Sequence, residues 1–202
     1  MAPQLSIKLV VFSIIDDKLR VFFKDKNLPV GFPQKDKSLD NSALSILQKY
    51  IKTSILDDYV EQLYTISSAG GGKAGIAVVY YILMPGYSIN RENKSNWIDC
   101  DNIGKNMSEY DVISYAVQRL RWKVEYTNVV YSLLLDEFTL SQLQKVYEAI
   151  LGRELDKRNF RKKILSLGLL KSTGKKKKGE VARPATVFSF KSRKPEFVKV
   201  FS

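Results

Sequence analysis

The sequence predicts an α+β protein of two modules, with strands and one helix in front and a small helical module closed by two strands behind. Three observations predict it. Short apolar stretches bounded by turn residues fill the first hundred positions, whereas apolar residues recur at helical spacing from Ser108 onward. Charge divides the same way. Residues 136–202 hold 17 of the 33 Lys/Arg but only 7 of the 21 Asp/Glu, so most of the net charge of +12 lies behind. A near-neutral front and a basic back point to two modules, the second facing a polyanion.

Composition excludes several chemistries. Histidine is absent, which removes Ser-His and Cys-His nucleophile pairs and any metal site built on imidazole. Cys100 is the single cysteine, so no intrachain disulfide forms, and a reducing cytoplasmic setting is expected. No run of about 18 apolar residues suggests a membrane span. The N-terminal apolar stretch lacks a basic n-region and a small-residue cleavage site, so it reads as a strand rather than a signal peptide.

The elements follow in order. Residues 5–15 and 18–23 read as strands around a turn at Asp16–Asp17. Residues 28–40 are rich in turn formers. Residues 41–52 place Ala43, Leu44, Leu47 and Ile51 at helical spacing. A strand around 61–67, the loop AGGGKAG and the strand 76–84 make a hairpin. That loop invites a phosphate-cradle reading through Lys73, but it does not precede a helix, which favours a plain turn. Trp97 opens a short strand, WIDCD. A helix then starts at Ser108, with Asp111 completing a capping box, and buries Ile113, Val117, Leu120 and Val124.

The back module is the more informative. Residues 138–151 form a helix with Thr139 as N-cap, Gln142 at the capping-box position and Gly152 as its end. Leu140, Leu143, Val146, Tyr147 and Ile150 make its buried stripe. A second helix starts at the N-cap Asp156 and ends before Gly168. Two short helices with a tight connection are a helix-turn-helix pattern. On the second helix Phe160, Ile164 and Leu167 fall within about 60° of one another at 100° per residue. Arg158, Arg161, Lys162 and Ser166 project the other way, with Asn159 at the margin. Arg and Asn can read guanine and adenine, and Lys neutralises phosphate. LLKSTG, the run Lys175, Lys176, Lys177 and Lys178, and ATVFSF then read as two strands around a basic loop, a wing. Arg183 lies where the wing returns and suits a phosphate or minor-groove contact. Any one of these charge runs alone is more simply a solvated surface. A basic helix face, a helix pair and a basic wing in this order favour double-stranded DNA.

FTLSQLQKVYEAILGRELDKRNFRKKILSLGLL followed by ARPATVFSF resembles the Nudix-related transcriptional regulators of bacteria, over most of residues 136–190. AVQRLRWKVEYTNVVYSLL is similar to that family's linking helix. The front half, at LPVGFPQKDKSLDNSA and YVEQLYT, resembles the approach to a Nudix box, G-x5-E-x7-R-E-U-x-E-E-x-G-U. The resemblance implies a Nudix-like mixed-sheet α/β/α sandwich over residues 1–107, a linking helix over 108–135 and a winged helix-turn-helix over 136–202. DNA-contact roles carry over to Arg158, Asn159, Arg161, Lys162 and Arg183, and Thr139, Lys157 and the lysines 175–178 are expected as further DNA-binding residues beside them. Effector-contact roles do not carry over, because the front half has diverged.

That divergence removes the box's chemistry. Nudix glutamates hold Mg²⁺ against a diphosphate. Here Gly31 keeps the first position, but Lys37 replaces the first Glu, Ser45–Ile46 the Arg-Glu pair, Lys49–Tyr50 the Glu-Glu pair and Lys52 the final Gly. Residues 41–56 contain no Asp or Glu, so no shift of register restores a metal site. Asp36, Asp40, Asp57, Asp58 and Glu61 remain nearby and read as turn residues and caps. No catalytic residue, metal or cofactor is expected.

The resemblance therefore implies a front domain that senses a nucleotide-derived or sugar effector and pairs two chains, so that two winged helices meet a palindromic operator. The front is the better platform for a homodimer, since two strongly basic tails repel. Two other readings stay open: a Nudix-type hydrolase with a nucleic-acid-binding tail, and a ligand-blind architectural winged-helix protein.

Overall fold

The computed structural model describes residues 4–51, 59–68, 75–89, 91–177 and 184–200, with only the backbone at 91–93. The chain divides into two compact units, Met1–Ser13 with Arg20–Val117, and Ile14–Leu19 with Gln118–Ser202. No helix among the described residues is long and apolar enough to cross a membrane.

The first unit is built on a mixed sheet. Strands β1 (Gln4–Ile15) and β2 (Lys18–Phe22) are joined by Asp16 and Asp17, both left-handed with φ 53° and 59°. Two successive positive φ values give the turn whose twist matches a β-hairpin, and Asp tolerates them better than bulkier residues. Strand β3 (Val30–Gly31) adds antiparallel to β1. Strands β4 (Tyr59–Ser68) and β5 (Gly75–Leu83) form the expected antiparallel pair, and β5 runs parallel to β1. Strand β6 (Trp97–Asp99) closes the order β4-β5-β1-β2-β6. Successive residues of β1 from Leu9 to Phe12 are fully buried. Neighbours along a strand face opposite sides, so both faces of the sheet are covered.

Helix α1 (Leu39–Tyr50) begins two residues earlier than its periodicity suggests, because the Ser38 hydroxyl caps the Asn41 N–H at 3.2 Å. Its buried face is Ser42, Ala43, Ile46 and Leu47. The expected Leu44 is only half-buried, since the helix sits rotated toward Ile46. Gly31 permits this packing, as a Cβ there would lie 2.7 Å from the Ile46 side chain. The WIDCD strand is also shorter than its sequence suggests. Cys100–Asn102 turns as a 3-10 helix because the Asp99 carboxylate accepts from the Asp101 N–H.

Helix α2 (Tyr110–Tyr126) starts later than Ser108. The Ile113 N–H donates to the Glu109 carbonyl, which makes Glu109 the N-cap in place of Ser108. The Glu109 carboxylate accepts both bonds from the Lys8 ammonium of β1, at 2.8 and 2.9 Å. The boundary between the two units falls inside this helix.

The second unit has its own core. A buried 3-10 segment, Val129–Leu133, leads to strand β7 (Phe138–Thr139). Helices α3 (Leu140–Leu151) and α4 (Lys157–Ser166) follow, then strands β8 (Leu170–Lys177) and β9 (Ala185–Phe190) in a sheet of order β7-β9-β8. Leu143, Val146, Tyr147 and Ile150 are buried, as are Phe160, Ile164, Val187 and Phe190. Tyr147 meets Phe160 edge-on at 5.4 Å. Leu167, expected in this core, is the half-buried C-cap of α4. The last described residues return along the end of α2, where the Asn128 side chain holds the backbone of Lys194 and Glu196.

Candidate nucleic-acid interface

The second unit displays its charge on a rigid pair of helices. Thr139 caps α3 as expected: its hydroxyl accepts from the Gln142 N–H at 3.2 Å, and the Thr139 N–H donates to the Gln142 side chain at 2.9 Å. Gly152 ends α3 with φ 69° and makes room for the Arg121 guanidinium, whose Nε donates to the Ile150 carbonyl at 2.9 Å. That positive group lies on the last carbonyls of the helix, where it is favourable.

The turn into α4 is held by polar side chains of α3. Glu148 accepts from the Leu155 N–H, and buried Gln144 donates to the Leu155 carbonyl at 2.8 Å. The Asp156 carboxylate then accepts from the Asn159 N–H at 2.8 Å and starts α4. Sequence reasoning had no role for Gln144 or Glu148. Their spacing of four on one helix was the available signal, but their partner is backbone and leaves no trace in sequence.

Helix α4 separates its faces. Phe160 and Ile164 are buried, while Lys157, Arg158, Asn159 and Lys162 are exposed. Arg161 differs from these. It is half-buried, and its Nη2 donates to the Ser141 hydroxyl at 3.2 Å on α3. Thr139 is buried too, with its hydroxyl engaged in the cap. The strand pair β8–β9 forms the expected wing. Lys176 and Lys177 are exposed on it, while Lys175 pairs with Glu137 at 2.7 Å. Lys178 and Arg183 lie outside the described residues, as do Lys73, Asp57 and Asp58. Between α3, α4 and the start of β9 lies a groove of about 450 Å³ lined by Ser141, Lys157, Arg161 and Thr186 among others, with no acidic residue among the described residues of its lining.

The first unit offers a different set of groups. The Lys37 ammonium donates to the Ser45 hydroxyl at 2.8 Å. The Tyr80 hydroxyl donates to Asp40 at 2.8 Å, and the hydroxyls of Tyr59 and Tyr81 both donate to Glu61. Desolvation, with the neighbouring carboxylate second for Tyr80 and the nearby Tyr59 second for Tyr81, holds both of these phenols well above the ordinary tyrosine range. Asp40 and Glu61 thus accept bonds from tyrosines. Among the described residues, no group of three or more His, Cys, Asp or Glu could hold a metal ion. The residues present do not fit a Nudix-type Mg²⁺ site, because α1 carries isoleucine, lysine and tyrosine where that site needs carboxylates.

A mixed Nudix-like sheet followed by a basic winged helix is the make-up of a Nudix-related transcriptional regulator. Residues 130–190 match the family model of the NrtR DNA-binding winged helix domain. The chain is similar to the ADPR responsive transcriptional repressor NtrR of Acinetobacter baylyi, with 27% identity over 94% of this chain and 82% of the relative. The crystal structure of Shewanella oneidensis NrtR complexed with a 27mer DNA superposes with a TM-score of 0.79 and 28% identity, covering 93% of each chain. A MutT/nudix family protein from Enterococcus faecalis shares the fold, with a TM-score of 0.69 at 20% identity over 95% of this chain and 89% of the other.

Proposed function

We propose that this chain is a sequence-specific DNA-binding transcriptional regulator whose Nudix-like domain is catalytically silent and serves as effector sensor and dimer platform. The observation that carries the reading is the solvent face of α4. Lys157, Arg158, Asn159 and Lys162 stand exposed on a helix fixed by α3, beside a wing that adds Lys176 and Lys177. Residues 136–202 act as the reader, residues 1–107 as the sensor and residues 108–135 as the link. One winged helix reads only a few base pairs, so a homodimer on a palindromic operator is the economical arrangement. The effector is a nucleotide-derived molecule. ADP-ribose is the first to test, because a similar repressor is named as responsive to it. The protein works in the bacterial cytoplasm.

Selection of bound duplexes from a random pool tests the reading. A motif with two-fold symmetry is expected, and micromolar ADP-ribose should change occupancy of it. Incubating ADP-ribose with the protein and Mg²⁺ should leave the ligand intact. Turnover that disappears on mutating Asp57, Asp58 or Glu61 would replace the sensor with a hydrolase. A monomer selecting an asymmetric motif would remove the dimer.

A further inference from the structure

We infer that the groove between α3, α4 and the root of the wing seats a DNA backbone phosphate, held by Arg161 with Ser141, Lys157 and Thr186, so that Arg161 positions the reader rather than reading a base. This rests on the DNA-binding reading above and assigns one part of it.

Arg161 is set apart from the other cations of α4 by its surroundings. Arg158 and Lys162, its near neighbours in sequence, are exposed. Arg161 follows the buried Phe160 and is half-buried between the two helices. Its Nη2 is tied to Ser141, and among the described residues its buried Nε has no hydrogen-bond partner. A guanidinium fixed at one edge has lost the reach needed to enter a major groove from the face of a recognition helix. It has instead lost its rotamer freedom in advance, which suits a contact that fixes register.

The rest of the groove matches a phosphodiester. Lys157 and Arg161 supply two positive charges, Ser141 and Thr186 supply hydroxyls, and among the described residues no carboxylate lines the space. Arg, Lys, Ser and Thr are the side chains that bond phosphate oxygens, and such bonds carry no sequence information. Pro184 and Ala185 on the wing side lack side-chain polar groups, which leaves space for the sugar. The Ser141 hydroxyl gives Arg161 its direction, so its loss should mimic a weakened Arg161.

The test uses the full chain and two duplexes, the selected motif and a random sequence, with affinity measured over a range of salt. Arg161→Gln should weaken both duplexes by the same factor and reduce the salt slope by about 0.9. Ser141→Ala should act in the same direction but less strongly. The motif selected by Arg161→Gln should be unchanged. Ethylation interference supplies a readout independent of the variant's affinity: one phosphate per half-site should block the wild type when ethylated and cease to matter in Arg161→Gln. An altered preference at one base pair with an unchanged salt slope would make Arg161 a base reader and overturn the inference. So would the wild type showing no sensitive phosphate next to the wing root. If the wild type bound neither duplex, the DNA-binding reading itself would fall, and the inference with it.

Discussion

Helix α1 and helix α4 are built alike and have kept different things. Each starts at a side chain that caps its first turn, Ser38 in one and Asp156 in the other. Each buries one apolar face, Ala43, Ile46 and Leu47 in the first unit, Phe160 and Ile164 in the second. On α4 the solvent face carries a dense set of DNA-type donors. On α1 the exposed residues are Asp40, Asn41, Gln48 and Lys49, and the one carboxylate among them, Asp40, lies in the first turn and accepts from Tyr80. The comparison teaches that packing and chemistry occupy separate faces of a helix. Helix α1 packs without the box glutamates, because the stripe that fixes it rests mainly on apolar side chains.

The separation is not complete, and its exception gives the largest expected effect. Ile46 stands where a Nudix box has a glutamate, yet here it is only 1% exposed, beside Gly31. Ile46→Glu would bury a carboxylate with no partner in an apolar pocket. It should cost about 4 kcal/mol or more, the range reached when a charge is buried unpaired. Chemical denaturation of the full chain measures it. A loss under about 1 kcal/mol would mean that α1 can rotate the side chain outward, and that its two faces are interchangeable.

On α4 the matching test is Arg158→Ala, which leaves the packed face alone. Binding to the selected motif should weaken by about 1–3 kcal/mol, with relaxed preference at the contacted base pair and little change in thermal stability. Equal losses on motif and random DNA would show that Arg158, like Arg161, faces the backbone.

The same distinction explains what is legible in the sequence. Thr139, Gln142, Gly152 and Asp156 act locally, over one turn of helix, so their spacing alone states their roles. The hairpin at Asp16–Asp17 and the β4–β5 pair are legible for the same reason. The start of α2 is not, because Ser108 is the residue type that caps a helix, while the position falls to Glu109, whose carboxylate is held by Lys8, 101 positions away. Arg161 reads as fully outward because helical angle alone cannot register Ser141 on a neighbouring helix. The strap of residues 194–200 along the end of α2 has no signal, since its partners are mostly backbone groups.

A smaller effect compares the local devices directly. Thr139→Ala breaks a reciprocal capping box and strands the Gln142 N–H in a half-buried turn, whereas Ser38→Ala removes a single cap from an exposed one. Thr139→Ala should cost about 1 kcal/mol or slightly more, and Ser38→Ala somewhat less. The reverse ranking in paired thermal melts would show that Ser38 does more than cap α1.

The smallest expected effect is the one that places a glutamate at a box position on the solvent face of α1. Lys49 takes the place of a box glutamate and is exposed in the last turn of α1. Lys49→Glu exchanges a favourable charge for an unfavourable one at the negative end of the helix, a cost of about 0.3–1 kcal/mol that salt should screen. No hydrolysis should appear. Tyr50, the next box position, gives its hydroxyl to the backbone of Val30 at 3.0 Å and cannot become a ligand without releasing β3. Ile46 cannot follow without breaking the core. One restored glutamate therefore faces Mg²⁺ alone, and hydrated Mg²⁺ sheds its water reluctantly for a single oxygen. Calorimetric titration with Mg²⁺ should match the wild type. If Lys49→Glu bound Mg²⁺ tightly, a second carboxylate would have to lie within reach, and the front domain would stand one substitution away from a Nudix-type metal site.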